Sequence, residues 1–315
     1  MAVEGSRKAI IAAMIANAGI ALAKFVAFLV TGASSMLAES VHSVADTSNQ
    51  GLLLLGANRA RRDATDLHQF GYGRERYFWS FVVALILFSL GGMFALYEGV
   101  EKIAHPHELA SMEWAIGVLV LGLLLEGYSL RTAIVEAGRV RGNRSWMQFI
   151  RHARSPELPV VLLEDIGAMF GLVFALIAVV LSKLTGNPVW DGIGTAVIGV
   201  LLIVIAIVLA IEMKSLLIGE SATTQDERTI REHLGGHEDV ERVLHLRTQH
   251  VGPEELLVTA KLEFRDGLTF ERIAADIDRI ERGLRAALPA CRMIYLEPAL
   301  ATGEHEGGTM TDHLT

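Results

Sequence analysis

One cysteine, Cys291, stands in a chain of 315 residues. That excludes an intrachain disulfide, and it excludes the Cys-rich motifs that hold structural zinc or iron–sulfur clusters. A lone cysteine opening a late apolar run reads as a small buried strand residue. An excess of basic charge is missing as well: the formal net charge is −8 at pH 7, which argues against a nucleic-acid partner. The His-Glu-x-x-His signature of helical zinc hydrolases is also absent. "HELAS" at 107 and "HEDVE" at 237 both lack the second histidine, which counts against a membrane metalloenzyme.

What the chain has in quantity is apolar sequence. Hydrophobic residues make up 51% of it, and the mean hydropathy is +0.40, high for a soluble domain. Six apolar stretches of roughly bilayer-spanning length are predicted near 8–30, 35–57, 77–101, 112–137, 157–182 and 189–215. The first follows Arg7-Lys8 and continues past Lys24 to Val30 without a good cleavage site. It therefore reads as a retained helix and not a signal peptide. Arg59, Arg61, Arg62, Arg74 and Arg76 fall between the second and third stretches, and Arg139, Arg141, Arg144, Arg151 and Arg154 between the fourth and fifth. The alternate loops carry almost no such charge, which puts both termini in the cytoplasm.

From about residue 220 charges become frequent. Thr224 stands three residues before Glu227, a capping-box spacing that starts a helix. "VERVLHLRTQ" and "ELLVTAKLEF" alternate in polarity and read as a β-hairpin. Phe270, Ile273, Ile277, Ile280 and Leu284 recur at helical spacing, and "CRMIYLEP" reads as a last strand. The expectation is an α-helical membrane protein of six transmembrane helices (1–219), a small cytoplasmic α+β domain of order α-β-β-α-β (220–300) and a disordered tail (301–315) whose His305 and His313 are solvated.

Polar residues inside the apolar stretches are the functional candidates. His42 and Asp46, spaced i and i+4, share one face of the second helix. Glu164 and Asp165 stand side by side in the fifth. Imidazole and carboxylate are ligands for a divalent ion, and two helices carrying four of them could form a four-coordinate site. The competing reading is a hydrogen-bonded strut between helices. Asn49 and Gln50 continue the His42–Asp46 side and suit an outer shell of hydrogen bonds. Glu126, in the fourth stretch, suits either a proton relay or a hydrogen-bonded helix contact. Asn17 reads as interhelical glue, and Lys24 as a side chain reaching out to the far surface.

"SMLAESVHSVADTSNQGLLLLG", "HQFGYGRERYFWSF", "WDGIGTAVIGVLLI" and "VLHLRTQHVGPEELLVTAKLEF" together resemble the cation diffusion facilitator family of divalent-metal/proton antiporters. The branch that includes the animal mitochondrial zinc transporter is the most similar. The resemblance covers nearly the whole chain and implies six spans followed by a ferredoxin-like dimerisation domain. It implies His42 and Asp46 as ligands from the second span and Asp165 from the fifth. Val161 stands where the family has a further histidine, which leaves Glu164 as the nearest substitute and weakens the case for zinc over manganese, iron or cobalt. A family loop site is degraded, with His68 retained but Thr65 and Tyr72 at the other two positions. In the soluble domain His245 is retained, while Lys261 and Tyr295 replace other histidines.

The resemblance therefore implies a homodimeric metal exporter in the lipid bilayer, expected to be the bacterial cytoplasmic membrane. A divalent cation, Zn2+ first, would be the substrate and protons the counter-ion, with no enzymatic activity. The alternative is a membrane protein that binds metal as a sensor or scaffold without moving it.

Overall fold

Backbone groups in a bilayer must find their hydrogen bonds within the chain, so apolar runs of this length become helices. The computed structural model describes residues 18–107, 112–143 and 145–299. The chain folds as two units, Met1–Leu217 and Ile218–Thr315.

In the first unit, α1 is Ala18–Thr31 and α2 is Ser34–Ala60. They are followed by α3 (Glu75–Ala104) and α4 (Met112–Arg141), a short α5 (Trp146–His152), α6 (Glu157–Thr185) and α7 (Val189–Ile218). Among the described residues, α3, α4, α6 and α7 are long and apolar enough to cross a membrane. The 27 residues of α2 would reach about 40 Å at 1.5 Å per residue, but polar side chains interrupt it. Asn17 and the start of the first expected stretch lie outside the described residues.

Three features were not expected. Residues Leu87–Met93 of α3 form a π-helical segment, a widening often found at functional sites. The loop between α4 and α6 contains α5, started by a reciprocal cap in which Ser145 and Gln148 bond each other's backbone. Helices α3 and α7 cross with backbones nearly touching: a methyl on Gly99 would lie 2.4 Å from the Ala196 nitrogen, and one on Gly199 would lie 2.5 Å from the Leu96 nitrogen. Gly92 and Gly192 complete the same contact, the small-residue packing by which membrane helices approach closely.

The start of α2 is held from a distance. Its N-cap, Ala33, supplies no side-chain cap, and its first turn has no acidic residue. Asp191 at the start of α7 takes that role. It is buried and accepts from the Ser34 nitrogen at 2.8 Å and from the Ser35 hydroxyl. A carboxylate at a helix N-terminus both satisfies free N–H groups and complements the helix dipole.

The second unit contains α8 (Thr224–Gly235), β1 (Val240–Gly252), β2 (Glu255–Phe264), α9 (Phe270–Ala287) and β3 (Cys291–Ala299). The sheet order is β1-β2-β3, with β1 antiparallel and β3 parallel to β2. Parallel pairing requires a crossover, which α9 provides. Two expectations are corrected. The cap of α8 is Thr223, whose hydroxyl accepts from the Asp226 nitrogen at 3.2 Å, one residue before the Thr224–Glu227 pair. Phe270 is 78% exposed: it shares the side of Ile277 and Leu284, but as the first residue of α9 it precedes the part of the helix that packs on the core. Cys291 is fully buried in that core, and burial raises its thiol to about 11. The 301–315 tail lies outside the described residues.

Candidate metal centre

Four helices of the membrane unit surround one polar cavity. Its wall takes Ile20 from α1, Ser43, Asp46 and Gln50 from α2, Glu126 and Ser129 from α4, and Val161, Glu164 and Asp165 from α6. The space open to the centre of a water-sized sphere is about 20 Å³, enough for one water or one bare ion. Helical periodicity explains the shared facing. Asp46 and Gln50 are one turn apart on α2, as are Val161 and Asp165 on α6.

His42 is buried, with its Nε2 3.4 Å from Asp46 Oδ2. It stands behind the cavity wall, against the π segment of α3, where a methyl on Gly91 would lie 3.8 Å from its Nδ1. Asn49 is also behind the wall and donates from Nδ2 to Glu164 Oε1 at 2.7 Å. Ser129 of α4 donates to Asp165 Oδ2 at 3.0 Å. Glu164 and Asp165 therefore each have a neutral donor from another helix. Asp46 Oδ1 and both His42 ring nitrogens are buried without a hydrogen-bond partner, although buried polar atoms in folded proteins are normally paired.

The structure thus brings Asp46, Glu164, Asp165, Glu126 and Gln50 to one space, with His42 and Asn49 touching that lining from outside. Among the described residues, no three His, Cys, Asp or Glu side chains converge closely enough to hold an ion. The carboxylates face a common cavity as separate groups.

Two residues depart from the sequence reading. Lys24 does not reach out to the surface. It is fully buried, and its ammonium lies 3.0 Å from Glu39 Oε2 and 2.8 Å from Ser43 Oγ. A lysine deep in a span is satisfied by an internal carboxylate when one stands at its own depth. Glu39, within the segment that carries His42, is the partner that the sequence reading missed.

In the second unit, His245 pairs across the strands with Lys261, and the Lys261 ammonium bonds Glu297 at 3.2 Å. His245 Nε2 accepts from Arg247 at 2.9 Å, while Tyr295 is exposed. Two cationic side chains beside one imidazole disfavour a dication there. In the loop after α2, Thr65 and Tyr72 share a hydrogen bond and the rings of His68 and Tyr72 lie 4.6 Å apart.

A bundle of apolar helices around a carboxylate-lined cavity, followed by a small α/β unit, defines a multi-pass membrane protein of the ion-handling kind. Residues 10–218 match the family described as the cation efflux transmembrane domain, and the chain belongs to that family, whose members are transporters and not enzymes. It is 32% identical over 291 residues to the proton-coupled zinc antiporter SLC30A9, mitochondrial, of Xenopus laevis, covering 90% of this chain and 52% of that one. The human protein of the same name is 30% identical over 272 residues, covering 85% and 48%. Metal tolerance protein C4 of Arabidopsis thaliana is 32% identical over 263 residues, covering 83% and 58%. The chain spans about half the length of these relatives.

Proposed function

We propose that the protein is a divalent-cation transporter that exports metal, Zn2+ first among the candidates, from the cytoplasm of a bacterium in exchange for protons. The observation that carries this reading is the placement of Asp46, Glu126, Glu164 and Asp165, from three helices, around one cavity inside the apolar bundle. Ionised carboxylates at bilayer depth are costly unless paired. A dication can supply the pairing, and protons can replace it. Because the same oxygens take one or the other, binding of metal displaces protons and protons release metal. His42 adds an imidazole that also titrates. Asp46, Asp165, Glu164 and His42 are the proposed ligand set, with Asn49, Gln50 and Glu126 supporting it by hydrogen bonds or proton relay. The names of the relatives, a proton-coupled zinc antiporter and a metal tolerance protein, support the same chemistry.

The proposal includes six spans, with α1 continuing N-terminally and α2 crossing despite its polar face, both termini in the cytoplasm, and a homodimer formed through the soluble unit. The test is flux of Zn2+, Mn2+, Fe2+ and Co2+ into liposomes that contain a pH-sensitive dye. Transport coupled to internal alkalinisation is expected, and Asp46→Asn or Asp165→Asn should abolish it. Intact, pH-dependent flux in the double variant would move the site elsewhere. Metal binding without flux in the wild type would favour a sensor or scaffold.

A further inference from the structure

Apart from the acidic cavity, the membrane unit buries a complete ion pair. Lys24 of α1 and Glu39 of α2 are both 0% exposed, 3.0 Å apart. Two further helices, α6 and α4, are shaped around them. The Glu39 carboxylate presses on bare α6 backbone, where a methyl on Gly171 would lie 2.5 Å from Oε1, and Oε1 has no hydrogen-bond partner. On α4, Gly122 leaves the Lys24 stem 3.9 Å from where a methyl would stand. The ammonium also donates to Ser43 Oγ, and Ser43 belongs to the cavity wall.

Stability alone is a weak reason for such a pair. An apolar pair of similar volume often serves as well or better, because both charges must be stripped of water. The placement of the ammonium against the cavity wall gives it a second consequence. Any cation held beside Ser43 and Asp46 meets a fixed positive charge one hydroxyl away, while the balancing anion, Glu39, does not line the cavity.

We propose that Lys24 and Glu39 are positioning residues that set the affinity of the cavity for a divalent cation without touching it: Lys24 weakens binding, and Glu39 offsets Lys24. This rests on the divalent-cation reading above. Such a pair keeps a carboxylate-lined site from holding its cargo too tightly to release it. A unit charge a few ångströms from a dication, at the effective dielectric of protein interiors, is worth at least a factor of about ten in affinity.

The test titrates the full-length protein in detergent with Zn2+ alone, then Mn2+ alone, by calorimetry at one pH, with melting curves recorded in parallel. Lys24→Met should bind about tenfold more tightly, Glu39→Gln about tenfold more weakly, and the double variant within about threefold of wild type. Lys24→Arg, which keeps the charge, should match wild type. If a single variant does not fold, the reversal Lys24→Glu/Glu39→Lys keeps a buried pair but sets the anion beside Ser43, and should bind at least about tenfold more tightly. A mere strut would lower melting temperatures and leave every dissociation constant unchanged, and that result overturns the proposal. The two readings fail differently. If wild type binds no metal, or Asp46→Asn/Asp165→Asn leaves binding intact, the cavity reading falls and takes this inference with it. If those carboxylates matter and the Lys24 and Glu39 variants do not shift affinity, only this inference falls.

Discussion

Replacing Gly171 with alanine tests the placement of Glu39 directly. In a helix interior, Gly→Ala ordinarily stabilises by about 1 kcal/mol, because glycine loses more backbone freedom on folding. At Gly117 of α4 that gain should be realised, since a methyl there meets nothing within 4 Å. At Gly171 the methyl would lie 2.5 Å from Glu39 Oε1 and 3.7 Å from Ile198 Cγ2. Glu39 must withdraw by roughly 1 Å to reach ordinary contact. The end of a glutamate side chain usually moves cheaply, but this one is buried and tied to Lys24 at 3.0 Å. Withdrawal stretches a charge-assisted hydrogen bond of a kind worth about 1.5–3 kcal/mol. The propensity gain offsets part of that, leaving a net loss of about 0.5–2 kcal/mol. Melting of the purified protein in detergent should therefore separate the two variants, with Gly117→Ala above wild type and Gly171→Ala below it. Each kcal/mol shifts the midpoint by about 2–4 °C in a unit of this size. If Gly171→Ala melted as high as Gly117→Ala, Glu39 would not be seated against α6, and the argument from that contact would fail.

Val161 faces the cavity beside Asp165, so Val161→His should add an imidazole to the ligand set and shift liposome transport toward Zn2+ over Mn2+; unchanged selectivity would place position 161 outside the ion's reach. For topology, cysteines at the exposed positions His105 and Leu184 should react with an impermeant thiol reagent added outside cells, and one at exposed Ala64 only after permeabilisation. Gly32 is a poorer choice there because its φ of 68° strains any side chain. Native Cys291 should stay silent from both sides, being buried with its thiol raised to about 11. In the C-terminal α/β unit, the hydrogen bond from Arg272 holds the Asp239 carboxyl below its usual range. A depressed folded value means stability that is present above the ordinary aspartate range and lost as pH falls through the lowered one. The melting advantage of wild type over Arg272→Met, measured on a fragment beginning at Ile218, should therefore shrink on acidification; an advantage that grew at low pH would refute the assignment.

The helical stretches were legible because hydropathy needs no partner to be read. Helices α3, α4, α6 and α7 begin and end within a few residues of the expected stretches. The alternating strands were equally open. Long-range partners were not. Asp191 caps a helix that starts 157 positions earlier in the chain, and nothing in the local pattern of either segment announces the other. Thr223 and Thr224 are both competent caps, and only the chain path into α8 selects the first. The Lys24–Glu39 pair was a nearer miss. Lys24 stands eight residues before Gly32 and Glu39 seven after it. An antiparallel hairpin folded at that glycine sets both charges about 11 Å from the turn at 1.5 Å per residue. Equal depth and opposite sign were readable, and they favour an internal partner over a side chain stretched to the surface.

The candidate site shows the same division between what residue identity gives and what geometry adds. Asp46, Glu164 and Asp165 could be named from their sequence setting, because carboxylates in apolar helices demand a reason. Their present partners could not. Asn49 donates to Glu164 at 2.7 Å and Ser129 to Asp165 at 3.0 Å, so each of these two carboxylates is engaged by a neutral donor. In the proposed cycle these donors hold each carboxylate through one of its two oxygens, Oε1 of Glu164 and Oδ2 of Asp165, and leave the other to turn toward a cation. A hydrogen bond to a charged group is worth about 1.5–3 kcal/mol, so the two donors steady the carboxylates between one cargo and the next without taking the oxygens a dication needs. On that reading the acidic side chains stay apart until a cation draws them in, and the Lys24 ammonium behind Ser43, as proposed above, works against permanent occupancy.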